Sequence, residues 1–522
     1  MGFTKIGIDP VSLSDNLSIK MMDMAMTTTT ALVVCFVSLL LLLFLRSFLL
    51  PPSLKLPPGP RPLPIFGNVL MMRKFGSTHN FANELKRRYG PIVTLWMCSK
   101  PVVIISGPDI IQEAMISQGT VFNARSRRQS FSIVTDGHRF EDAERNRFVR
   151  RLMVSGFLSN KRVAQFRPIR EQEVDILVDS LREQIHENDG GVVSNFRPLI
   201  RLTVCNLIVG ILFGRRLDLD EYMNLDEVLV ERFQRAVGTT RDFMPWLAWL
   251  PDREGVKSQL ELRRKISRII EPLIEERKEA LKLGQRHGDT LVDTLLRLRE
   301  GANPSPVEIL DSDVVLICIE ILNAGADTTA LNLEYCIANL VNHPDMQEKL
   351  AKEIFSVAGE RVVTEDDLQS LPYLQAVVKE SLRRHSPARL APSRRALSAT
   401  KVAGYDIPLN TPVLQHLEGV SLSPELWDDP LEFRPERFLN KTVDLTGSTE
   451  ITMIPFGVGR RICPAMNIAF LHAEIILARL IQAFQWKPAT PGKLLDLSPG
   501  SGLTAPMKYP LNTSLQERMM VP

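Results

Sequence analysis

Along most of the chain, hydrophobic and polar residues alternate with the spacing of amphipathic helices. Runs such as 171–185 and 260–281 place an apolar residue every three or four positions, which predicts helices with one buried face. Residues 92–96 and 102–106 are instead short runs rich in β-branched side chains, separated by a few turn residues, which predicts a β-hairpin. The pattern therefore predicts a mainly α fold with a small β portion, of the α+β class.

The most continuous apolar stretch lies near the N-terminus, at residues 31–50. Its length corresponds to about one membrane crossing at ~1.5 Å per residue. A cleaved signal peptide is the alternative, but no small-residue cleavage pattern follows the stretch. We therefore expect an N-terminal extension at 1–26 and a retained anchor helix at 27–50. Basic residues after the anchor favour a cytosolic position for the rest of the chain.

A proline-rich segment follows the anchor at residues 51–64. Closely spaced prolines exclude helix and strand, so this segment is expected to be a stiff hinge. The remaining residues, 65–522, are expected to form one large domain. Within it, two prolines frame a segment with two tryptophans at 243–251. That segment is too short to span a membrane, and it either dips into the membrane surface or packs on the core.

The composition narrows the class of protein. The chain has 522 residues, 44% of them hydrophobic, and a formal net charge of +3 that is too small to indicate nucleic-acid binding. Its six cysteines are widely scattered and include no Cys-x-x-Cys pair, which argues against a disulfide framework and against a zinc site. This distribution fits a reducing compartment.

A long helix is predicted at residues 311–342, ended by His343-Pro344. It is apolar on nearly every side, so it is expected to run through the core. Its middle, 324–329, contains a glycine, an acid and two threonines that disfavour a helix, and such a conflict suggests a functional site. A threonine there can donate to a carbonyl one turn earlier, and Gly325 would leave room for a small ligand. The alternative is a kinked core helix.

A single cysteine, Cys463, follows a basic loop that contains glycine and precedes an apolar helical run. Pro464 is predicted to be the first helical residue, because proline is tolerated there. Cys463 would then lie at a helix N-terminus, where N–H groups and the helix dipole favour a thiolate. A thiolate in that position is a suitable soft ligand for iron. The alternative is a buried cysteine in an ordinary turn.

This loop resembles the cysteine loop of the cytochrome P-450 family, the haem-thiolate monooxygenases. Its pattern is Phe-x-x-Gly-x-Arg-x-Cys-x-Gly, and the matching residues are Phe456, Gly459, Arg461 and Cys463, with Ala465 in place of the final glycine. The resemblance implies that Cys463 binds the iron of haem b (iron protoporphyrin IX). It also implies that Arg461 reaches a haem propionate, that Phe456 packs beside the sulfur and that Gly459 belongs to the cofactor-binding loop.

Residues 324–329 resemble the oxygen-binding motif of the same family, Ala/Gly-Gly-x-Asp/Glu-Thr-Thr. The resemblance implies that Thr328 holds the bound dioxygen. It implies that Asp327 supplies protons to the oxygen through water. Both residues are therefore expected to be catalytic.

The family also has a buried Glu-x-x-Arg helix that pairs with an arginine from a Pro-Glu-Arg-Phe run. Glu380 and Arg383 stand three residues apart on one predicted helix face, and Arg437 lies in such a run. The resemblance implies that the three residues lock together and fix the cysteine loop, with a structural rather than a catalytic role.

Two further arginines are expected at the haem propionates. Arg394 lies ten residues before Gly404, the spacing at which the family places a propionate ligand. Arg150 aligns with the arginine of a Trp-x-x-x-Arg helix, but Asn146 replaces the tryptophan. Because of this departure, Arg147 or His138 stays open as a substitute for Arg150.

The resemblance implies a monooxygenase that inserts one oxygen atom from O2 into a hydrophobic organic substrate, by hydroxylation or epoxidation. Electrons are expected from NADPH through a haemoprotein reductase, with the enzyme anchored by one span in the endoplasmic reticulum membrane. The run 443–486 is most similar to plant members of the family, particularly those that oxidise fatty acids in mid-chain.

Two other functions remain open. A lyase or isomerase on the same fold rearranges hydroperoxides without a reductase, and it would not need the pair Asp327 and Thr328. A non-enzymatic haem sensor needs neither that pair nor an open pocket. The presence of the pair favours the monooxygenase.

Overall fold

The computed structural model divides the chain into two compact units, Met1–Lys55 and Leu56–Pro522. It describes residues 24–39, 41–42, 54–63, 66–75, 78–125, 143–187, 192–193, 196–235, 253–284, 290–300, 308–439, 441–500, 502 and 504–518. The aromatic segment at 243–251 and His138 lie outside these residues. The division between the units falls inside the proposed hinge, and the finer domain boundaries stay predictions.

In the first unit, the described residues form an apolar helix, Met24–Leu39. This helix begins before the apolar run that predicted the anchor. Its first part contains four threonines, whose hydroxyls donate to carbonyls of the preceding turn, as Thr28 Oγ1 does to Met24 O at 2.8 Å. Its apolar side chains are exposed, for example those of Leu32 and Phe36. The full extent of the anchor stays a prediction.

The second unit is mainly helical. Its α-helices are α1 Val69–Arg73, α2 Thr78–Tyr89, α3 Pro108–Ile111, α4 Ala143–Arg151, α5 Asn160–Gln165, α6 Arg167–Glu187, α7 Phe196–Phe213, α8 Leu219–Arg235, α9 Arg253–Lys282, α10 Leu291–Arg299, α11 Asp311–Asn342, α12 Pro344–Ala358, α13 Pro372–Arg384, α14 Leu417–Ser421 and α15 Met466–Ala483. Shorter helical segments are the π-helical Gln112–Ser117 and Leu152–Phe157 and the 3-10 segments Glu365–Ser370, Pro435–Phe438 and Gly459–Arg461.

The strands are few and short. They are β1 Ile92–Met97, β2 Lys100–Ile105, β3 Ala124–Arg125, β4 Val192–Val193, β5 Arg394–Arg395, β6 Thr400–Val402, β7 Tyr405–Ile407, β8 Pro412–Gln415, β9 Phe484–Pro488 and β10 Thr513–Glu517. Among the described residues they form one sheet in the order β1-β2-β8-β5-β3, a second in the order β4-β10-β9, and the pair β6-β7. The antiparallel β1-β2 pair is the predicted hairpin. The predicted mainly α fold with a small β portion is confirmed.

Helix α11 lies at the centre of the second unit. It has the predicted bounds and packs against α7, α15, α9 and α13. In the part of the chain that the structure describes, α7, α11 and α15 are long and apolar enough to cross a membrane by length and composition alone. Their apolar windows are 72%, 67% and 44% buried inside the protein, so α7 and α11 serve as core helices.

Candidate functional site

The loop before Cys463 is fixed by its own backbone. The N–H of Gly457 donates to Ile454 O at 2.9 Å, and the N–H of Cys463 donates to Phe456 O at 3.0 Å. Gly459 has a φ of +73°, and a Cβ on it would lie 2.2 Å from Met115 O. Both features require glycine at this position. The loop therefore presents Cys463 in one conformation against the segment that carries Met115.

The helix that follows begins later than the sequence predicted. Helix α15 starts at Met466 with Ala465 as its N-cap, so Pro464 lies in the preceding turn and is not the first helical residue. The predicted start at Pro464 is therefore two residues too early, and Cys463 lies two residues before the N-cap of α15. The reason is local: Ala465 has φ −101° and ψ 20°, and its N–H donates to the Cys463 sulfur. Burial raises the pKa of the Cys463 thiol, and the Ala465 N–H and the nearby Arg150 oppose that shift.

Two other residues of the cysteine loop, Phe456 and Arg461, connect it to neighbouring segments. The ring of Phe456 packs on Phe470, with their centroids 5.4 Å apart, and its carbonyl is the one that holds the Cys463 N–H. Arg461 is half-buried, and its Nε donates to Asn123 O at 2.9 Å. This contact ties the basic loop to the residues that lead into β3.

Four arginines, Arg125, Arg150, Arg394 and Arg461, form what we call the cationic cluster. Arg125 and Arg394 are paired in register across β3 and β5. Arg394 is 3% exposed, and burial lowers its pKa to about 8, with further repulsion from the other three arginines. Burial and then Arg461 lower the pKa of Arg125 to about 10, while Glu320 on α11 opposes that shift.

Arg150 joins the cluster from α4. It is half-buried, and its Nη1 donates to Ile462 O at 2.6 Å, directly before the cysteine. Burial lowers its pKa, and the Cys463 thiolate opposes that shift. Arg147, the alternative that the sequence left open, is exposed. The structure thus brings Arg150, Arg394, Arg461 and Cys463 together, although Asn146 replaces the tryptophan of the Trp-x-x-x-Arg motif.

Sequence reasoning missed Arg125. It belongs to no motif in the chain, and the register of two-residue strands cannot be deduced from an alternation pattern. Its position becomes visible only through the pairing of β3 with β5.

The residues present at this site fit a haem. A buried group of arginines that repel one another is suited to an anion with more than one carboxylate, and a haem has two propionates. Cys463 is the kind of ligand that holds haem iron in thiolate-ligated proteins. A haem held by these residues would supply the activation of dioxygen, and the cationic cluster would neutralise and orient its propionates.

The helix-disfavouring residues at 324–329 do not interrupt α11, and the side chain of Thr328 is accommodated within the helix. Its Oγ1 donates to Ala324 O at 2.8 Å, the predicted bond to the preceding turn. Ala324 itself is exposed, although most of α11 is buried. Gly325, Asp327 and Thr328 are partly exposed, so this exposed stretch of the helix includes Thr328.

The prediction that Gly325 leaves room for a small ligand stays a prediction. A Cβ on Gly325 would lie 2.7 Å from Ile208 Cδ1 of α7, the far end of a flexible side chain. Gly325 therefore lies where a side chain of α7 approaches α11 closely. The sequence did not predict this contact, because the crossing point of two core helices cannot be located from one sequence.

Asp327 has partners that the sequence did not predict. Its Oδ1 lies 3.4 Å from Nη2 of Arg201, and its Oδ2 accepts a hydrogen bond from Thr504 Oγ1 at 2.7 Å. The same Nη2 of Arg201 lies 2.8 Å from Oδ1 of Asp226 on α8. Arg201, Asp226 and Thr504 come from two other helices and the C-terminal segment, and they belong to no motif.

Glu380, Arg383 and Arg437 form the second group of buried charges, which we call the Glu380 network. Arg383 donates from Nε and Nη2 to the two oxygens of Glu380 at 2.6 and 2.8 Å, and both side chains are fully buried. Arg437 Nε lies 3.5 Å from Glu380 Oε1. Arg383 also donates to three carbonyls, those of Ser421, Pro430 and Glu432. The predicted assembly of these three residues is present.

Comparison with known proteins agrees with this site. A family model described as Cytochrome P450 matches residues 57–512. Melianol synthase CYP71BQ4 of Citrus sinensis is 33% identical over 481 residues, which cover 89% of this chain and 91% of that protein. The Ent-isokaurene C2/C3-hydroxylase of Oryza sativa subsp. japonica is 33% identical, with coverages of 88% and 92%. Cytochrome P450 89A9 of Arabidopsis thaliana is 31% identical, with coverages of 94% and 100%.

Both the family model and these relatives cover most of the chain, and the cysteine loop and the cationic cluster fit a haem. The chain therefore belongs to the cytochrome P450 family and is an oxidoreductase of the monooxygenase class.

Proposed function

We propose that this enzyme inserts one oxygen atom from O2 into a hydrophobic organic substrate, by hydroxylation or epoxidation. The observation that carries the proposal is the position of Asp327 and Thr328 on the central helix α11. Thr328 borders the exposed stretch at Ala324, and Asp327 is connected to partly exposed charged groups. A proton donor and a hydroxyl in adjacent positions suit a reaction in which dioxygen is cleaved and one atom leaves as water.

We assign Cys463 as the axial ligand of haem b and the cationic cluster as the partner of its propionates. Phe456 and Gly459 shape the loop that holds the cysteine. The electrons come from NADPH through a haemoprotein reductase. The N-terminal helix anchors the enzyme in the endoplasmic reticulum membrane by one span, with the catalytic domain in the cytosol.

We also propose fatty acids as the class of substrate. Oxidation of fatty acids in mid-chain is the candidate that the C-terminal run of the sequence favours. The names of two relatives at the same 33% identity, a melianol synthase and an ent-isokaurene hydroxylase, refer to different products and substrates. Family membership alone therefore does not select a substrate.

Labelled dioxygen tests the reaction class. The full-length holoenzyme is combined with an NADPH-dependent reductase, ¹⁸O2 and a panel of fatty acids and phenolics. We expect one labelled atom in the product and consumption of NADPH and O2 in step with it. Product formed from a hydroperoxide without NADPH would support the lyase instead. Haem binding without product from any member of a broad panel would support the sensor.

A further inference from the structure

One side of helix α11 is open over about two turns. Residues 313–319 before this stretch and residues 329–341 after it are buried. Between them, Ala324 is exposed, and Glu320 and Thr328 are partly exposed. The three residues follow one another at intervals of four, so they lie on the same side of the helix. We call this side, from Glu320 to Thr328, the open face.

Glu320 presents a carboxylate to the open face. Its side chain is 46% exposed, whereas that of Arg232 on α8, with which it forms an ion pair, is only 4% exposed. Arg232 Nη2 donates to Oε1 of Glu320, and among the residues that the structure describes, Oε2 accepts no hydrogen bond. The pair therefore keeps its guanidinium buried and offers a carboxylate oxygen to a ligand.

The open face borders the same site as the cationic cluster. The charge of Glu320 opposes the lowering of the Arg125 pKa, so these two side chains lie within electrostatic reach of each other. Arg125 itself is fixed at the cluster, where its Nη1 donates to Pro392 O at 2.6 Å. Glu320 is therefore the part of the open face that is near the cluster, and Thr328 lies two turns further along the helix.

The Glu320 carboxylate selects the kind of group that can bind to it. A carboxylate only accepts hydrogen bonds, so a carbonyl or ether oxygen finds no partner there, and a second carboxylate is repelled. An ammonium group gains little, because Arg232 already neutralises Glu320 and Arg125 repels a further cation. A hydroxyl group supplies the hydrogen-bond donor and carries no charge. The site is therefore suited to an alcohol.

We propose that Glu320 binds a hydroxyl group of the substrate and thereby selects hydrophobic molecules that already carry one. This inference rests on the proposed function and goes beyond it by naming a polar group of the substrate. The hydroxyl donates to Glu320, and the apolar part of the molecule extends along the open face past Ala324 toward Thr328. The distance covered is about 6 to 12 Å by the rise of one to two helical turns. Among fatty acids, those with a hydroxyl group are favoured.

Three probes test this site. They are a 1-alkylimidazole, the same molecule with a hydroxyl at the chain end, and the same molecule with a carboxylate there, each in a series of chain lengths. The imidazole nitrogen binds the haem iron, and the chain end samples the open face. Affinity for the full-length holoenzyme is measured from the shift of the haem absorption band and by calorimetry. We expect the hydroxyl probe to bind tightest to the wild type, at one best chain length.

Glu320→Leu removes the acceptor. The ratio of the hydroxyl-probe affinity to the alkyl-probe affinity should fall roughly tenfold, the effect of one partly exposed hydrogen bond to a charged group. This variant leaves Arg232 buried without the Glu320 carboxylate, which can prevent folding. The double variant Glu320→Leu with Arg232→Met removes both charges and should show the same fall in the ratio.

The matched control is Asp311→Leu. Asp311 is an exposed acid of the same helix that pairs with Arg299 outside the open face. The affinity ratio should stay at the wild-type value in this variant, because a merely structural ion pair on α11 does not contact the probe.

Three results would overturn the role of Glu320. They are a wild type in which the hydroxyl probe binds no tighter than the carboxylate or alkyl probe, a wild-type ratio that is kept in the double variant, and an equal fall of the ratio in Asp311→Leu. The reduced carbon monoxide spectrum reports the thiolate-bound haem separately. Its absence in the wild type would contradict the proposed function, whereas calorimetry with the three probes would still decide whether Glu320 selects a hydroxyl group.

Discussion

Two groups of arginines in this enzyme, the Glu380 network and the cationic cluster, are built in opposite ways. In the Glu380 network, the central carboxylate binds Arg383 through both oxygens, and three carbonyls take the remaining donors. In the cationic cluster, the other three arginines add to the burial that lowers the pKa of Arg394, which is only 3% exposed. Among the described residues, Glu320 opposes the lowered pKa of Arg125, and the Cys463 thiolate opposes that of Arg150.

This difference separates a structural role from a ligand-binding role. A buried charge that is fully paired within the protein gains nothing from a further anion, so the Glu380 network holds the frame. A buried group of like charges is unfavourable until an anion joins it. We therefore propose that the cationic cluster is the part of the molecule that a bound haem, with its two propionates, would stabilise. The following variants test the contrast, in order of decreasing effect.

Replacement of Glu380 by glutamine should have the largest effect on stability. It leaves Arg383 buried with no carboxylate, and breaking a buried pair in this way costs about 3–5 kcal/mol. We expect little folded holoprotein, measured as haem-containing yield and as the free energy of unfolding in denaturant. The matched control is Glu432→Gln, because Glu432 is 52% exposed and lies 3.7 Å from Arg437. Equal losses in both variants would mean that burial of the network is unimportant.

Replacement of Arg394 by methionine should mainly weaken haem binding. The variant removes one cation that repels its neighbours, so the fold loses little, but the haem loses a charge-assisted hydrogen bond of about 1.5–3 kcal/mol. Haem affinity should fall roughly 10- to 150-fold, measured by transfer of haem to apomyoglobin.

The neighbouring Arg395 supplies the control for this prediction. It lies on the same strand, and its Nη1 donates to Asn410 Oδ1 at 2.7 Å. Arg395→Met should leave the transfer of haem unchanged. If Arg394→Met also keeps its haem and instead unfolds more easily, the cluster is a structural element like the Glu380 network.

Replacement of Arg437 by lysine should have the smallest effect. Lysine keeps the positive charge near Glu380 but loses the fork that donates to Asp428 O and Asp429 O. We expect a loss of about 1 kcal/mol in the free energy of unfolding, with normal haem content, because the ammonium group can replace only part of the exposed bonds from the guanidinium to the two carbonyls. A loss as large as that of Glu380→Gln would show that the arginine fork, rather than the carboxylate, holds the network together.

The motifs of the sequence predicted one group better than the other. Glu380, Arg383 and Arg437 were predicted as an assembly because two of them share a helix face and the third lies in a short family motif. In the cationic cluster, Arg461, Arg394 and Arg150 were predicted, but Arg125 was not. Its contact depends on strand pairing between segments that lie far apart in the sequence, and such pairing leaves no local pattern.

Helix α11 shows the same limit on a smaller scale. Its bounds, and the bond from Thr328 to Ala324, follow from local periodicity and side-chain chemistry, and both predictions are confirmed. The role of Gly325 and the partners of Asp327 depend on which helices cross α11 and where. Similarly, the start of α15 was predicted two residues too early, because the Ala465 N–H that donates to the cysteine sulfur has no signature in the sequence.

The most direct test of this account is the spectrum of the reduced carbon monoxide complex in the wild type and in Cys463→Ala. Only a thiolate ligand gives the red-shifted band. We predict the band in the wild type and its complete loss in Cys463→Ala, with Cys336→Ala as the control because Cys336 is a fully buried thiol in α11. A red-shifted band that survives in Cys463→Ala would contradict the assignment of Cys463 as the haem ligand.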